Sequence, residues 1–102
     1  MPKYAARVDD NQPEIMEALR KVGASVQPLS TVGFGVPDIL VGYQGRNFLL
    51  EIKDGRKVPS AQKLTPMQIR WHEEWRGNSA VVNSVEAALA AIGCIPIRGG
   101  IS

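Results

Sequence analysis

Apolar residues recur at helical spacing early in the chain. Ile15, Ala18, Leu19 and Val22 share one face of a helix running from about Gln12 to Val22. Asn11 suits its N-cap, Pro13 its first turn and Gly23 its C-terminal stop. Ala24 to Leu29 then reads as a strand, and Ser30 to Pro37 as a loop containing Gly33 and Gly35. Two apolar runs follow, Asp38 to Tyr43 and Asn47 to Lys53, split by Gln44-Gly45-Arg46, the pattern of a β-hairpin. Ile39, Val41 and Tyr43 alternate with Leu40, and Phe48, Leu50 and Ile52 alternate with Leu49. Both faces of that hairpin are therefore expected to be partly buried.

Asp54 to Leu64 is a polar, basic loop. Thr65 at the N-cap and Pro66 at the first helical position open a second helix reaching about Arg76. Ser79 to Asn83 reads as a short strand, and Asn83 or Ser84 caps a last helix, Val85 to Ile92, ended by Gly93. The tail, Cys94 to Ser102, is apolar but carries Pro96, Gly99 and Gly100; it is expected to be loose or packed on a partner subunit. The order α-β-β-β-α-β-α predicts an α/β fold, a mixed sheet with helices on its faces.

The 102 residues suit one domain with one modest core, and no repeat or linker divides them. Apolar residues at 44% and charged residues at 22% are those of a globular domain rather than a disordered tail. No apolar run approaches the ~18 residues of a membrane span. Met1-Pro2-Lys3-Tyr4 lacks the apolar stretch of a secretory signal, and the single cysteine, Cys94, cannot form an internal disulfide. A reducing, cytoplasmic setting is the simplest expectation.

The net charge of +2 is small, but its distribution is uneven. Residues 46–76 hold seven basic residues and four acidic ones, whereas residues 1–45 hold four basic and five acidic. Such a patch suits phosphates, although a solvated loop and helix face give the same count.

Charges also sit within the most apolar stretch. Asp38 opens one hairpin strand, and Glu51-Ile52-Lys53 closes the other. A buried, unpaired carboxylate is costly, so each needs a partner or a metal. Glu51 and Lys53 share a face because the strand period is two. A two-residue turn at Gln44-Gly45 pairs Tyr43 with Arg46 and sets Asp38 opposite Glu51. A four-residue turn sets Asp38 opposite Lys53, and a three-residue turn without a bulge puts Asp38 on the wrong face. Two carboxylates that close repel if both ionise. A hard divalent cation, Mg²⁺ or Mn²⁺, removes the conflict; an ion pair with Lys53 is the alternative.

The set Gly35-Val36-Pro37-Asp38, Glu51-Ile52-Lys53 and Gln68 resembles the PD-(D/E)XK nuclease superfamily. More narrowly, it resembles the stand-alone virus-type replication-repair nuclease, or VRR-NUC, domain, from about Arg7 to Asn83. The resemblance implies a restriction-endonuclease-like α-β-β-β-α-β core and metal-dependent phosphodiester cleavage. It implies homodimers that act like Holliday-junction resolvases on branched DNA, in a viral or prophage replication setting. Asp38 and Glu51 would hold the metal, with the Ile52 backbone carbonyl as a further ligand. Lys53 would orient the attacking water or steady developing negative charge. Glu14 matches the helix-borne acid that completes the metal site, and Gln68 the glutamine near the scissile phosphate.

Simpler roles compete at several positions. Asn11-x-x-Glu14 and Thr65-x-x-Gln68 both fit a capping box, and Glu17 is the competing acid on the first helix. Gly33 and Gly35 permit close approach to a phosphate or serve a plain turn. Arg56, Lys57 and Lys63 are the expected DNA-backbone contacts, with solvated loop charge as the alternative. Met67, Trp71 and Trp75 form a stripe expected in the core or a dimer interface. His72 and Cys94 carry no assigned chemistry. Two other function classes remain: a catalytically silent DNA-binding or assembly module, and a nuclease subunit requiring a helicase or polymerase partner.

Overall fold

The computed structural model describes residues 9–94. The expectations for the extreme N-terminus and for the tail beyond Cys94 lie outside the described residues. Helix α1 (Gln12–Lys21) is followed by strands β1 (Ser25–Pro28), β2 (Ile39–Tyr43) and β3 (Arg46–Ile52). A 3₁₀ turn (Pro59–Gln62), helix α2 (Pro66–Glu74), strand β4 (Ser79–Val82) and helix α3 (Val85–Ala91) complete the order.

The sheet runs β1-β2-β3-β4, antiparallel except for the parallel β3–β4 pair. Parallel neighbours need a long crossover, and the segment carrying the 3₁₀ turn and α2 supplies it. Between β2 and β3 the turn has two residues: Tyr43 pairs with Arg46 and Ile39 with Leu50. Gln44 and Gly45 take φ of 50° and 80°, the left-handed pair that matches the twist of a tight hairpin. Because the strand period is two, this turn fixes which side chains share a face.

One face carries the core. Ile39 and Val41 of β2, Phe48, Leu50 and Ile52 of β3, and Val82 of β4 pack against Ile15 and Leu19 of α1 and against Ala88 of α3 and Ile92 just after it. The opposite face carries Leu40, Leu49 and Glu51. It is covered only in part: Glu51 is 2% exposed, whereas Val81 is 46% exposed. Trp75 lines a shallow hollow there with Leu40, Asn47, Leu49, Gly77 and Asn78. No helix among the described residues is long and apolar enough to cross a membrane.

Two local expectations change. Asn11 precedes α1 but makes no side-chain cap, since its own backbone is already helical at φ −87°, ψ −1°. The Asn11-x-x-Glu14 capping box is therefore absent. The Trp71–Trp75 pair does not fill the core either. The two rings stack on each other at 4.8 Å, α2 has no buried residue, and Met67 is 57% exposed.

Candidate active site

The hairpin register brings Asp38, one residue before β2, to the same end of the sheet as Glu51. The Asp38 amide donates to the Leu50 carbonyl at 3.0 Å, and its Oδ2 accepts from the Ile52 amide at 2.7 Å. Asp38 thus holds β3 on both sides of Glu51. Pro37, buried just before it, has no N–H to leave unsatisfied at the strand entrance.

Lys53 follows the last residue of β3 and is held from several directions. Its amide donates to the Val82 carbonyl at 2.9 Å, and its carbonyl accepts from Asn11 Nδ2 at 3.1 Å. Its Nζ lies 3.3 Å from Gln68 Oε1 and 3.7 Å from Glu51 Oε2.

Gln68 comes from the opposite side, on the first turn of α2. Its Oε1 accepts from the Thr65 backbone N–H at 2.9 Å and from Lys53 Nζ, and its Nε2 donates to Glu51 Oε2 at 3.1 Å. Thr65 Oγ1 accepts from the Gln68 amide at 3.1 Å, which completes the capping box. Capping and contact with Glu51 are therefore not competing roles. The cap fixes the position from which the Gln68 side chain reaches both Lys53 and Glu51.

These groups line a cleft of about 310 Å³ with Asp9, Ile52, Ala61 and Thr65. Burial is the largest influence on both carboxyls, because water no longer solvates their charge. It raises Asp38 above the ordinary carboxylate range despite the opposing Ile52 hydrogen bond. It pushes Glu51 up to about 8, aided by the adjacent Asp38 charge and only partly offset by Lys53. Glu51 Oε1 is buried without a hydrogen-bond partner. Two adjacent carboxyls that resist ionisation, one with a buried oxygen that no donor reaches, suit a cation as their neutralising partner.

The donor set fits a hard divalent ion. Asp38 and Glu51 offer oxygen, and no group of three or more His, Cys, Asp or Glu gathers into a metal cluster among the described residues. Magnesium is commonly held by one or two carboxylates while keeping several waters. Softer metals favour thiolate or imidazole, and neither lines the cleft.

Other candidate residues lie elsewhere. The Glu14 side chain is exposed and sits 4.0 Å from Arg56 Nη1, and Glu14 is not among the residues lining the cleft. The acid from this part of the chain that lines the cleft is Asp9, whose carbonyl accepts from the Gln12 amide at 3.0 Å as α1 begins. Its charge also contributes to raising Asp38 and Glu51. Neither Asp9 nor Asn11 carried a local signal for this position, since both act across the fold.

Arg56 is turned toward its own loop. Its Nε and Nη2 donate to the two oxygens of buried Asp54, each at 2.9 Å. These bonds hold the Asp54 carboxyl down at about 2. Lys57 lies 3.7 Å from exposed Asp10, whereas Lys63 makes no ion pair among the described residues.

The fold has a counterpart among solved structures. A solved structure described as a VRR_NUC domain superposes with a TM-score of 0.60 at 32% sequence identity, covering 79% of this chain and 88% of that one. No family model and no curated protein matches the sequence. With its mixed sheet and its Asp38–Glu51–Lys53 cleft, the chain belongs to the VRR-NUC family of nuclease domains.

Proposed function

We propose that this chain is a metal-dependent endonuclease that hydrolyses phosphodiester bonds in structured DNA, acting as a homodimer with a preference for four-way junctions. The convergence of Asp38 and Glu51 on one cleft, with a Glu51 oxygen buried and unpartnered, carries the reading. Asp38 and Glu51 would hold Mg²⁺ or Mn²⁺, with the Ile52 carbonyl as a further ligand. The bound ion would lower the pKa of a water and relieve charge on the phosphoryl oxygens.

The chain's own groups do the rest. The Ile52 amide and the strand fix the Asp38 carboxylate, so it needs no rearrangement to receive a cation. Lys53 presents a compact positive charge beside the carboxylates, where negative charge develops at phosphorus. Gln68 holds the Lys53 ammonium and one Glu51 oxygen in fixed relation, leaving the other Glu51 oxygen for the ion. Asp9 is a further acid at the rim and takes the part that family resemblance gives to Glu14.

The homodimer is supported by the half-covered sheet face, where Val81 and Trp75 leave apolar surface exposed. A two-fold dimer would present two clefts to a two-fold junction. Lys63 and Lys57 are the candidates for backbone phosphate contact in a soluble, cytoplasmic setting.

The test is cleavage of labelled four-way junction, flap, single-stranded and linear duplex DNA with Mg²⁺, Mn²⁺ or chelator, alongside light scattering for mass. Metal-dependent paired nicks in the junction by a dimer are expected. Cleavage of every substrate alike would remove the junction preference, and binding without cleavage in either metal would favour a silent assembly module.

A further inference from the structure

Phe34 combines features that ordinary loop residues do not. It is 80% exposed, and its φ of 59° lies between those of Gly33 at 78° and Gly35 at 79°. Glycine enters the left-handed region freely, but a phenylalanine there is strained. With its ring largely in solvent, packing does little to offset that strain. Observed strain of this kind points toward a use for the side chain.

The loop that carries Phe34 is held in place. The Val36 amide donates to the Gly33 carbonyl at 3.1 Å, and the Val32 amide to the Leu29 carbonyl at 2.9 Å. Gly35 lies against the first turn of α2: a Cβ there would come within 2.6 Å of the Met67 carbonyl and 3.2 Å of the Gln68 nitrogen. The residue after Phe34 therefore touches the segment that delivers Gln68 to the cleft, and Asp38 lies four residues on. Four residues of chain span at most about 14 Å, so the Phe34 backbone lies within that distance of Asp38, while the ring is outside the cleft lining and free in solvent.

We propose that Phe34 is a base-stacking residue, taking on its ring the exposed face of an unstacked nucleobase of the DNA whose phosphate lies at Asp38 and Glu51. The inference rests on the nuclease reading of that site. An aromatic face accepts any base, so it distinguishes unstacked from duplex DNA without reading sequence. Branch points, where bases at the crossover lose a stacking neighbour, supply such a face. Phe34 would position the substrate rather than take part in bond cleavage.

The experiment compares wild type with Phe34→Ala, Phe34→Gly and Phe34→Trp. Each is titrated, in chelator, with branched and with linear DNA carrying 2-aminopurine at positions around the branch. Phe34→Trp should bind branched DNA like wild type and quench the same 2-aminopurine. Phe34→Ala and Phe34→Gly should bind it roughly 5- to 150-fold more weakly, leave the probe bright, and bind linear duplex unchanged. Phe34→Gly separates stacking from loop shape, because it relieves the strain while removing the ring. Wild-type affinity and quenching in Phe34→Gly would overturn the proposal, as would a change in oligomeric mass with DNA binding intact. A parallel cleavage assay separates the two claims. Cutting by wild type and Phe34→Gly with the same kcat and KM defeats stacking alone, and no cutting by wild type defeats the nuclease reading beneath it.

Discussion

The Asp38 carboxylate accepts the Ile52 amide at 2.7 Å, so one candidate ligand is fastened to the strand that carries the other. This bond leaves one Asp38 oxygen for a cation and prevents the carboxylate from swinging away. Asparagine can accept the same bond through its side-chain carbonyl. Asp38→Asn should therefore melt near the wild-type temperature yet cut DNA at least about 10²–10³-fold more slowly. Thermal unfolding paired with single-turnover cleavage checks both halves; a variant that cuts normally would remove Asp38 from the chemistry.

Glu51 is buried, and its pKa stands near 8, above the ordinary carboxylate value. The folded state therefore binds this proton more tightly than the unfolded chain. Stability from this group is fully present below pH ~4.5 and is lost as pH rises toward about 8. Metal-free protein should show a falling denaturation midpoint across that window. In Glu51→Gln, which keeps the volume and the acceptor for Gln68, the decline should flatten. A wild-type midpoint independent of pH over the same range would contradict the assigned burial.

Protons and metal compete for the same carboxylates. The thermal stabilisation given by Mg²⁺ or Mn²⁺ should grow from pH 6 to pH 8, and Glu51→Gln should abolish most of it. Melting curves with and without chelator test this; equal metal stabilisation in Glu51→Gln would place the ion elsewhere.

The α2 cap and the cleft share Gln68. Thr65→Ala removes an N-cap, which costs about 0.5–2 kcal/mol, and Thr65→Ser should restore it. Gln68→Ala should slow cleavage more than Thr65→Ala does at matched stability, because it also releases Lys53 and leaves Glu51 Oε2 without its amide partner. Comparing rates below both melting temperatures separates the effects. Equal rates in Thr65→Ala and Gln68→Ala would reduce Gln68 to a capping residue.

The basic loop should divide by role. Lys63→Ala should weaken DNA binding and reduce its salt slope by about 1. Arg56→Ala should chiefly lower the melting temperature, since it strips two of the three hydrogen bonds from the buried Asp54 carboxylate and leaves only that from the backbone amide. The Asp54–Arg56 contribution is present above pH ~4 and lost as pH falls toward about 2. Salt-dependent binding and acid titration of the two variants check this division. An unaltered melt with a lost salt contact in Arg56→Ala would return Arg56 to the DNA-binding set.

The hairpin was legible but its register was not: turns of two, three or four residues fit the sequence, and the Tyr43–Arg46 pairing of the fold selects two, which sets Asp38 beside Glu51. The Thr65-Pro66 start of α2 and the Gln68 capping box are similarly local signals. Asn11 was not legible, because its partner, the Lys53 carbonyl, lies 42 residues away and its backbone is already helical. Glu14 is helix-borne as expected, but its side chain is exposed, because the α1 face that turns inward is that of Ile15 and Leu19. The Trp71–Trp75 stripe lies outside the core for another reason: i, i+4 spacing also allows two rings to stack on each other at the surface.

The central claim is that Asp38 and Glu51 together hold the cation that makes this cleft a nuclease. Calorimetric titration of Mn²⁺ into wild type, Asp38→Asn and Glu51→Gln at pH 8 tests it most directly, with cleavage of a four-way junction followed on the same samples. The account predicts saturable binding and cleavage by wild type, and loss of both in each variant with the fold retained. Wild-type binding in both variants, or cleavage undiminished in chelator, would contradict it.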